Sequence, residues 1–292
     1  MADRRPGPEH FQPPLRALGE KAVTVAIQDL AIEISGLSAV VNESVRERYA
    51  PFLSDVRPAE TVMVFEGDGD YLGPARDLFF RLEESPTPAG PIVLSHRFAA
   101  MHFQAQRRTV LRISDPRDKA QVLGAIENCL RWRIADMALL RGGVILHAAG
   151  LVRDGKAHIF FGHSGAGKST VASLSPDALL LSDDLVLVLK KGERFYGATT
   201  PFMGTLGQAA KRQGLFPLAG LFLLKKSPAV ELRALPPGKA EGALLSCCPF
   251  VWDPGRRTEY LLPMAADLCA QLGVKELSFR KEPSFWDVIL SG

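Results

Sequence analysis

The strongest constraint on the fold is a glycine-rich run, Gly162–Ser169, that directly follows an apolar stretch. Its sequence, GHSGAGKS, matches the P-loop pattern G-x-x-x-x-G-K-[ST]. Residues 157–161 predict a strand before the run, and the residues after it are compatible with a helix. A strand, a glycine-rich loop and a helix in this order are typical of α/β proteins that bind phosphate. A flexible glycine turn is the alternative, and the flanking pattern disfavours it.

The same run predicts how a nucleotide would be held. Glycines let backbone N–H groups turn towards phosphate oxygens, and the following helix adds the positive end of its dipole. Lys168 is expected to reach the β- and γ-phosphates, and the Ser169 hydroxyl to ligate magnesium. ATP with Mg²⁺ is therefore the expected ligand, although the sequence leaves ATP against GTP open. The expected phosphate-binding residues are Gly162, Ser164, Gly165, Ala166, Gly167, Lys168, Ser169 and Thr170. The side chains of His163 and Ser164 occupy variable positions of the pattern and are expected to play no part.

An acidic pair follows the run, and Asp183 comes 15 residues after Lys168. Apolar residues 179–181 lead into Ser182, Asp183 and Asp184, so a strand is predicted to end in two carboxylates. Only one short helix fits between Lys168 and this strand. Magnesium prefers carboxylate ligands, and a nucleophile needs an orienting base, so the pair fits a kinase site. A polar turn between two strands is the alternative.

The first half of the chain gives structural signals and no catalytic motif. Residues 1–20 are rich in proline and charge, which predicts a flexible leader before order begins near Lys21. Residues 21–140 predict a strand-rich, antiparallel domain, with one short helix over 38–52. The expected strands cover residues 23–27, 30–34, 61–65, 92–96, 99–103 and 109–113.

A long helix is predicted to close this first domain at residues 116–140. Its apolar residues recur every three or four positions, with Asp115 as the expected cap and Pro116 in the first turn. The domain boundary is placed near Gly142, so 141–292 is expected to be the P-loop domain. Its strands are predicted at 144–152, 157–161, 178–181, 185–189, 194–196 and 220–224, with a turn at Asp154–Gly155 and a final helix at 265–272.

Composition limits the class of partner. The formal charge is +3 with no dense basic run, which argues against nucleic acid and suits phosphorylated ligands. The four cysteines lack Cys-x-x-Cys spacing and are expected to be reduced thiols. The sequence has neither an apolar signal segment near residue 1 nor a run of membrane-spanning length, so a cytoplasmic protein without membrane contact is expected.

The sequence resembles the HPr kinase/phosphorylase family in three segments that occur in the same order: Leu146–Gly150, Gly162–Thr170 and Ser182–Asp184. The kinase domain of that family is similar to phosphoenolpyruvate carboxykinase. The resemblance implies an α/β kinase domain, α+β for the whole chain, with Asp183 as base and Asp184 as metal ligand beside Ser169. It also implies that Lys168 contacts the phosphates and that His147 lies beside the transferred phosphate. A core histidine within a strand is the alternative for His147.

The chain departs from that family after residue 198. The family's later glycine-rich signature and additional metal-binding glutamate are not found in residues 199–226. The chain is more similar to divergent stand-alone relatives, some of which phosphorylate a serine hydroxyl. Residues 199–202 and the pair Lys211 and Arg212 are then expected near the acceptor, with a solvated helix face as the alternative for the basic pair.

The function expected from the sequence is ATP-dependent phosphoryl transfer to a serine-type hydroxyl. The acceptor would be a protein, a peptide or a small molecule. A nucleotide-binding regulatory ATPase or switch is the main alternative, because the same loop would serve it. A carboxykinase is a third, but 150 residues are few for its extra metal and carboxylate sites. The sequence does not indicate what residues 21–140 do or whether the chain forms a homo-oligomer.

Overall fold

A computed structural model describes residues 6–69, 71–72, 82–202, 204, 206, 210 and 212–291. The chain is a mixed α/β protein with two sheets and several helices. It forms two compact units, residues 1–133 and 134–292. They meet in sequence inside a helix, earlier than the boundary predicted near Gly142. That each unit is an independent domain stays a prediction.

The first unit contains a sheet of seven strands in the order β1-β2-β3-β7-β6-β5-β4. Its strands are β1 Lys21–Ile27, β2 Leu30–Leu37, β3 Glu60–Glu66, β4 Glu83–Ser85, β5 Ile92–Leu94, β6 Phe98–Phe103 and β7 Arg108–Ile113. The prediction of an antiparallel sheet is wrong at its centre, because β3 runs parallel to both β2 and β7. Alternation along a strand identifies its buried face but carries no information about its neighbour's direction.

Among the residues described in this half, the α-helices are α1 Ala39–Arg48 and α2 Lys119–Leu139, and α2 continues into the second unit. Both confirm the predicted helices, but the predicted cap of α2 is wrong. Asp118 Oδ1 accepts the N–H groups of Ala120 and Gln121, at 2.9 and 3.2 Å. Asp115 instead accepts the N–H of Arg117 in the turn before the helix. The chain offers two aspartates here, and only the one at the true first turn can cap it.

Order begins before Lys21, within the segment expected to be a flexible leader. Pro8–Phe11 form a 3₁₀ turn, and Phe11 is buried with 1% of its surface exposed. Arg112 Nη1 donates to the carbonyl of His10 at 2.8 Å. Phe11 and the bond to Arg112 therefore anchor residues 8–11 to the first unit, and residues 1–5 of the predicted leader lie outside the described part of the chain.

The second unit is built on an eight-stranded sheet in which the strand before the glycine-rich loop is interior. The strands are β8 Gly143–Arg153, β9 Lys156–Phe161, β10 Leu179–Ser182, β11 Leu185–Lys191, β12 Arg194–Ala198, β13 Leu215–Lys226, β14 Glu231–Ala234 and β15 Lys275–Phe279. β9 pairs antiparallel with β8 and parallel with β13. Asp154 and Gly155 have φ values of 51° and 74°, which confirms the predicted tight turn between β8 and β9.

Helices cover both faces of this second sheet. They are α3 Lys168–Ser173, α4 Pro237–Leu245, α5 Pro254–Arg256, α6 Leu262–Leu272 and α7 Phe285–Ser291, with a π-helical segment Arg257–Leu261 joining α5 to α6. Residues of α4 and α6 share one apolar core with Ala157, Ile159 and Phe161 of β9. Residues of α3 and α7 share the other core with Phe160. The helix predicted at 265–272 exists, but α7 follows it, so it is not the final helix. Within the described residues, no helix is both long and apolar enough to span a membrane.

Candidate functional site

The glycine-rich loop connects the end of β9 to α3, in the position predicted from the sequence. Gly162, Gly165 and Gly167 have φ values of 151°, 78° and 114°, which only glycine adopts without strain. Gly167 is also sterically required, since an added Cβ would lie 2.7 Å from the ring of Phe279 at the end of β15. The last residue of β15 therefore packs directly beneath the loop.

Lys168, the first residue of α3, turns back across this loop. Its Nζ donates to the carbonyl oxygens of Gly162 and His163 at 3.0 and 3.3 Å, and the residue is buried. An ammonium group has three N–H donors, so one remains for a ligand. The His163 ring contacts the carbonyl of Ser164 at 2.6 Å, and both residues are exposed, so neither side chain points into the fold.

The acidic pair interrupts a strand rather than ending one. β10 and β11 both pair antiparallel with β8, and Asp183 and Asp184 lie between them. The register shifts between Leu180 and Ser182, so the chain bulges just before the pair. The predicted strand followed by two carboxylates is present, together with a second strand that continues beyond them. The two side chains have different partners.

Asp183 is buried, with 3% of its surface exposed, and its carboxylate binds the backbone of two residues that follow β12. Its Oδ1 accepts the N–H of Gly204 at 2.7 Å, and its Oδ2 accepts the N–H of Leu206 at 2.8 Å. A Cβ added at Gly204 would lie 2.8 Å from Asp183 Oδ2. Glycine is therefore needed for the backbone to approach the carboxylate this closely.

Asp184 faces His147 on the neighbouring strand β8. Asp184 Oδ1 lies 3.6 Å from His147 Nε2, with 20% and 47% of the two side chains exposed. The Asp184 carbonyl also accepts the N–H of Ala148 at 2.9 Å, which fixes the register. On the other side, the His147 N–H donates to the carbonyl of Cys247 at 2.7 Å. His147 is therefore a partly exposed strand residue beside a carboxylate, and not a core histidine.

Lys168 lies close enough to Asp184 and Cys247 to interact with them electrostatically. Burial lowers the pKa of the Lys168 ammonium from its ordinary value, while the nearby Cys247 and Asp184 act in the opposite direction. The structure thus brings Lys168, Asp184, His147 and Cys247 together at the end of β9. Asp183 is the neighbour of Asp184 in sequence, but its carboxylate is directed at the backbone of Gly204 and Leu206 instead.

Residues 199–202, expected near an acceptor, lie beside the acidic pair. Thr200 donates from its N–H to the Leu181 carbonyl at 3.1 Å and from its hydroxyl to the Leu185 carbonyl at 2.6 Å. The Ser182 hydroxyl donates to the Phe202 carbonyl at 3.0 Å. Thr200 is fully buried, so its side chain fixes the segment in place. Of the predicted basic pair, Arg212 is exposed and Lys211 lies outside the described residues.

Sequence reasoning missed Gly204, Leu206 and Cys247. No local pattern could have found them: Gly204 and Leu206 take part through backbone N–H groups, and Cys247 lies 79 residues after Lys168. Over the residues that the structure describes, no three His, Cys, Asp or Glu side chains are grouped to hold a metal ion. This does not conflict with magnesium, which often takes one or two protein ligands and completes its shell with phosphates and water.

The chain is thus a mixed α/β protein with a glycine-rich loop between a strand and a helix. It belongs to the family described as SynChlorMet cassette protein ScmC, whose model matches residues 112–259. No curated protein matches the sequence. Among solved structures it has a distant similarity to the Hpr(Ser) kinase/phosphatase from Coxiella burnetii, with 11% identity and a TM-score of 0.27, covering 50% of this chain and 93% of that one. A score this low carries no argument about function.

Proposed function

We propose that the chain is an ATP-dependent kinase that transfers a phosphoryl group to a serine-type hydroxyl. The observation that carries the proposal is the convergence of Lys168, Asp184 and His147 at a loop with the P-loop sequence. A buried ammonium, a carboxylate and a partly exposed imidazole at one strand end are groups that can bind and orient a triphosphate. The acceptor would be a protein, a peptide or a small molecule.

In this proposal the loop residues 162–170 bind the phosphates through backbone N–H groups and the remaining N–H of Lys168. Ser169 and Asp184 are the proposed magnesium ligands; a hydroxyl and a carboxylate are hard oxygen donors that suit this ion. Bound magnesium would neutralise phosphate charge as it develops. The His147 ring lies 3.6 Å from Asp184 and would donate a hydrogen bond to an oxygen of the phosphoryl group that is transferred.

Asp183 is the proposed base. Two of the roughly four lone-pair sites on its carboxylate accept backbone N–H groups, which leaves sites for an acceptor hydroxyl. These two bonds would hold the carboxylate in one orientation, as general-base catalysis requires. Gly204 and Leu206, which Asp183 binds, would then lie next to the acceptor.

A regulatory ATPase or switch is the second candidate, and the engagement of Asp183 favours it. A carboxylate already occupied by Gly204 and Leu206 can couple the nucleotide site to these two residues without acting as a base. A switch would hydrolyse ATP to phosphate with no phosphorylated acceptor.

Incubation with γ-labelled ATP, Mg²⁺ and candidate acceptors tests the proposal. The family name refers to a cassette, so other proteins encoded in the same cassette are the first acceptors to try. A kinase transfers label to a hydroxyl of the acceptor, and Lys168→Ala abolishes the transfer while Lys191→Ala, at an exposed lysine of β11, does not. Label released only as inorganic phosphate, whatever acceptor is present, would contradict the kinase and support the switch.

A further inference from the structure

A second cleft lies at the opposite end of β9 from the glycine-rich loop. It has a volume of about 370 Å³ and is lined by the β8–β9 turn, the start of β9, β13, the α6–β15 connection and α7. Of the β9 residues that line the cleft, His158 is the nearest to the loop, and roughly 13 Å of strand separates it from Gly162. β13 bulges here between Leu218 and Gly220, which opens its pairing with β9 beside the cleft.

The charge on the cleft wall is mostly positive. Arg153, Lys156 and Lys275 line it together with one carboxylate, that of Asp154. Neither lysine forms an ion pair with any residue in the described part of the second unit. The Arg153 guanidinium lies over the ring of Trp286, 5.0 Å from its centroid, which fixes the cation at the edge. An anion is therefore the ligand that this wall favours.

His158 is the second, independent sign of a ligand. It lines the cleft, is only 5% exposed, and its Nδ1 is buried without a hydrogen-bond partner among the residues that the structure describes. Its ring stacks on that of Phe222, with 6.0 Å between the ring centroids, and lies edge-on to that of Trp286, with 5.2 Å between the centroids. A buried nitrogen with no partner is destabilising, so a small rotation of the ring that brings Nδ1 to the cleft and onto a ligand atom would be favourable.

The charge state of His158 follows from its surroundings. Burial lowers its pKa to about 4, with Lys156 and Arg153 acting in the same direction and Asp154 against them. The imidazole is therefore neutral near pH 7 and contributes a hydrogen-bond donor or acceptor, not a charge. The positive charge that faces a ligand comes from the lysines and Arg153.

We propose that this cleft binds a small organic anion, with its carboxylate or equivalent group on Lys156 and Lys275. Its apolar body would pack against Phe222 and Leu272, and a polar atom would pair with His158. The cleft's size falls in the range of small-molecule sites, which combine an apolar wall with a few polar groups. This site is separate from the proposed nucleotide site and does not depend on it.

Three probes separate charge from shape: benzoate, its neutral isostere benzamide, and acetate, which lacks the ring. Titration calorimetry of the full chain is expected to show benzoate binding roughly tenfold or more tightly than either of the others. The ring signals of His158 in NMR spectra, assigned by their loss in His158→Phe, should move with the same titration. Benzoate that binds no more tightly than benzamide or acetate would overturn the proposal.

Variants connect binding to the cleft. The double change Lys156→Gln and Lys275→Gln should weaken benzoate roughly tenfold or more, since charge-assisted bonds are lost. Lys191→Gln, an exposed lysine outside the cleft, and Lys168→Ala at the nucleotide loop should leave benzoate affinity unchanged. His158→Phe keeps the ring stacking and should bind benzoate more weakly. Unchanged affinity in the double variant would overturn the site, and unchanged affinity in His158→Phe would overturn the role of the imidazole.

Discussion

His147 and Asp184 face each other across two neighbouring strands, with 3.6 Å between His147 Nε2 and Asp184 Oδ1. The strand register sets this pair, because Leu185 lies opposite His147 and the Asp184 carbonyl accepts the next N–H along, that of Ala148. Two residues far apart in sequence are thus held side by side at the strand end that leads into the glycine-rich loop. The proposed site depends on this register as much as on the loop itself.

Lys168 is expected to carry nucleotide binding. ATP with Mg²⁺ should stabilise the chain by about 2.7 kcal/mol at a concentration about 100 times Kd, because only the folded state binds it. Lys168→Ala should remove most of the rise in Tm, measured by thermal unfolding. Lys191→Ala is the control and should keep it. A full Tm rise in Lys168→Ala would place the nucleotide elsewhere.

Asp183 and Asp184 are expected to respond differently to replacement by asparagine. Asp184→Asn should weaken Mg²⁺-dependent nucleotide binding, because a neutral amide lacks the charge that holds the ion. Asp183→Asn should largely preserve that binding, while phosphoryl transfer falls by ~10²–10⁴-fold. Calorimetry and labelled transfer measure the two effects. If the bulge before the pair reverses the roles of the two carboxylates, Asp183→Asn will weaken binding and Asp184→Asn will slow transfer. Small and equal effects of both variants on binding and on transfer would exclude both carboxylates from the site.

Gly204 is expected to tolerate no side chain. Gly204→Ala would place a Cβ 2.8 Å from Asp183 Oδ2 and 3.0 Å from Asp184 Cβ, so the segment must move away. We expect a loss of roughly 1–3 kcal/mol in unfolding free energy by urea titration, and reduced transfer. Gly238→Ala in α4 is the control: its Cβ would meet nothing within 4 Å, and a change of up to about 1 kcal/mol towards greater stability is expected. Matching behaviour of both variants would refute the contact.

The second unit is expected to fold without the first. A fragment of residues 134–292 contains all eight strands of its sheet, the loop and the acidic pair. It should unfold cooperatively and keep the Tm rise with ATP and Mg²⁺. If the fragment is insoluble, or if ATP does not raise its Tm, residues before 134 are needed for the second unit to fold or to bind the nucleotide.

His158 should make stability depend on pH. Its folded pKa, about 4, lies below the ordinary value of 6.5, so the unfolded chain binds the extra proton between these values. The contribution of His158 to the free energy of unfolding is fully present above pH 6.5 and is lost as the pH falls towards 4. Urea titrations at pH 7 and 4.5 should differ by roughly 2 kcal/mol from this residue alone. His158→Phe should reduce the difference by that amount, and an unchanged difference would refute the assignment.

Patterns read along the chain predicted elements better than their arrangement. The helices over 38–52 and 116–140 and the Asp154–Gly155 turn have local causes, namely periodicity and turn residues, and the structure contains them. The parallel pairing of β3 and the anchoring of Asp183 depend on partners distant in sequence. No local pattern encodes those contacts. For the same reason the loop and the acidic pair were predicted from the sequence, but the contacts of Asp183 with Gly204 and Leu206 were not.

The close approach of Gly167 and Phe279 ties the loop to a strand far away in sequence. The two positions are 112 residues apart, yet the ring of one occupies the space that a side chain on the other would need. A side chain at the position of Gly167 would need a smaller residue at that of Phe279 and also a backbone that abandons φ = 114°. A residue outside the motif, at the end of β15, therefore adds a steric reason to the conformational one for keeping glycine at this position of the loop.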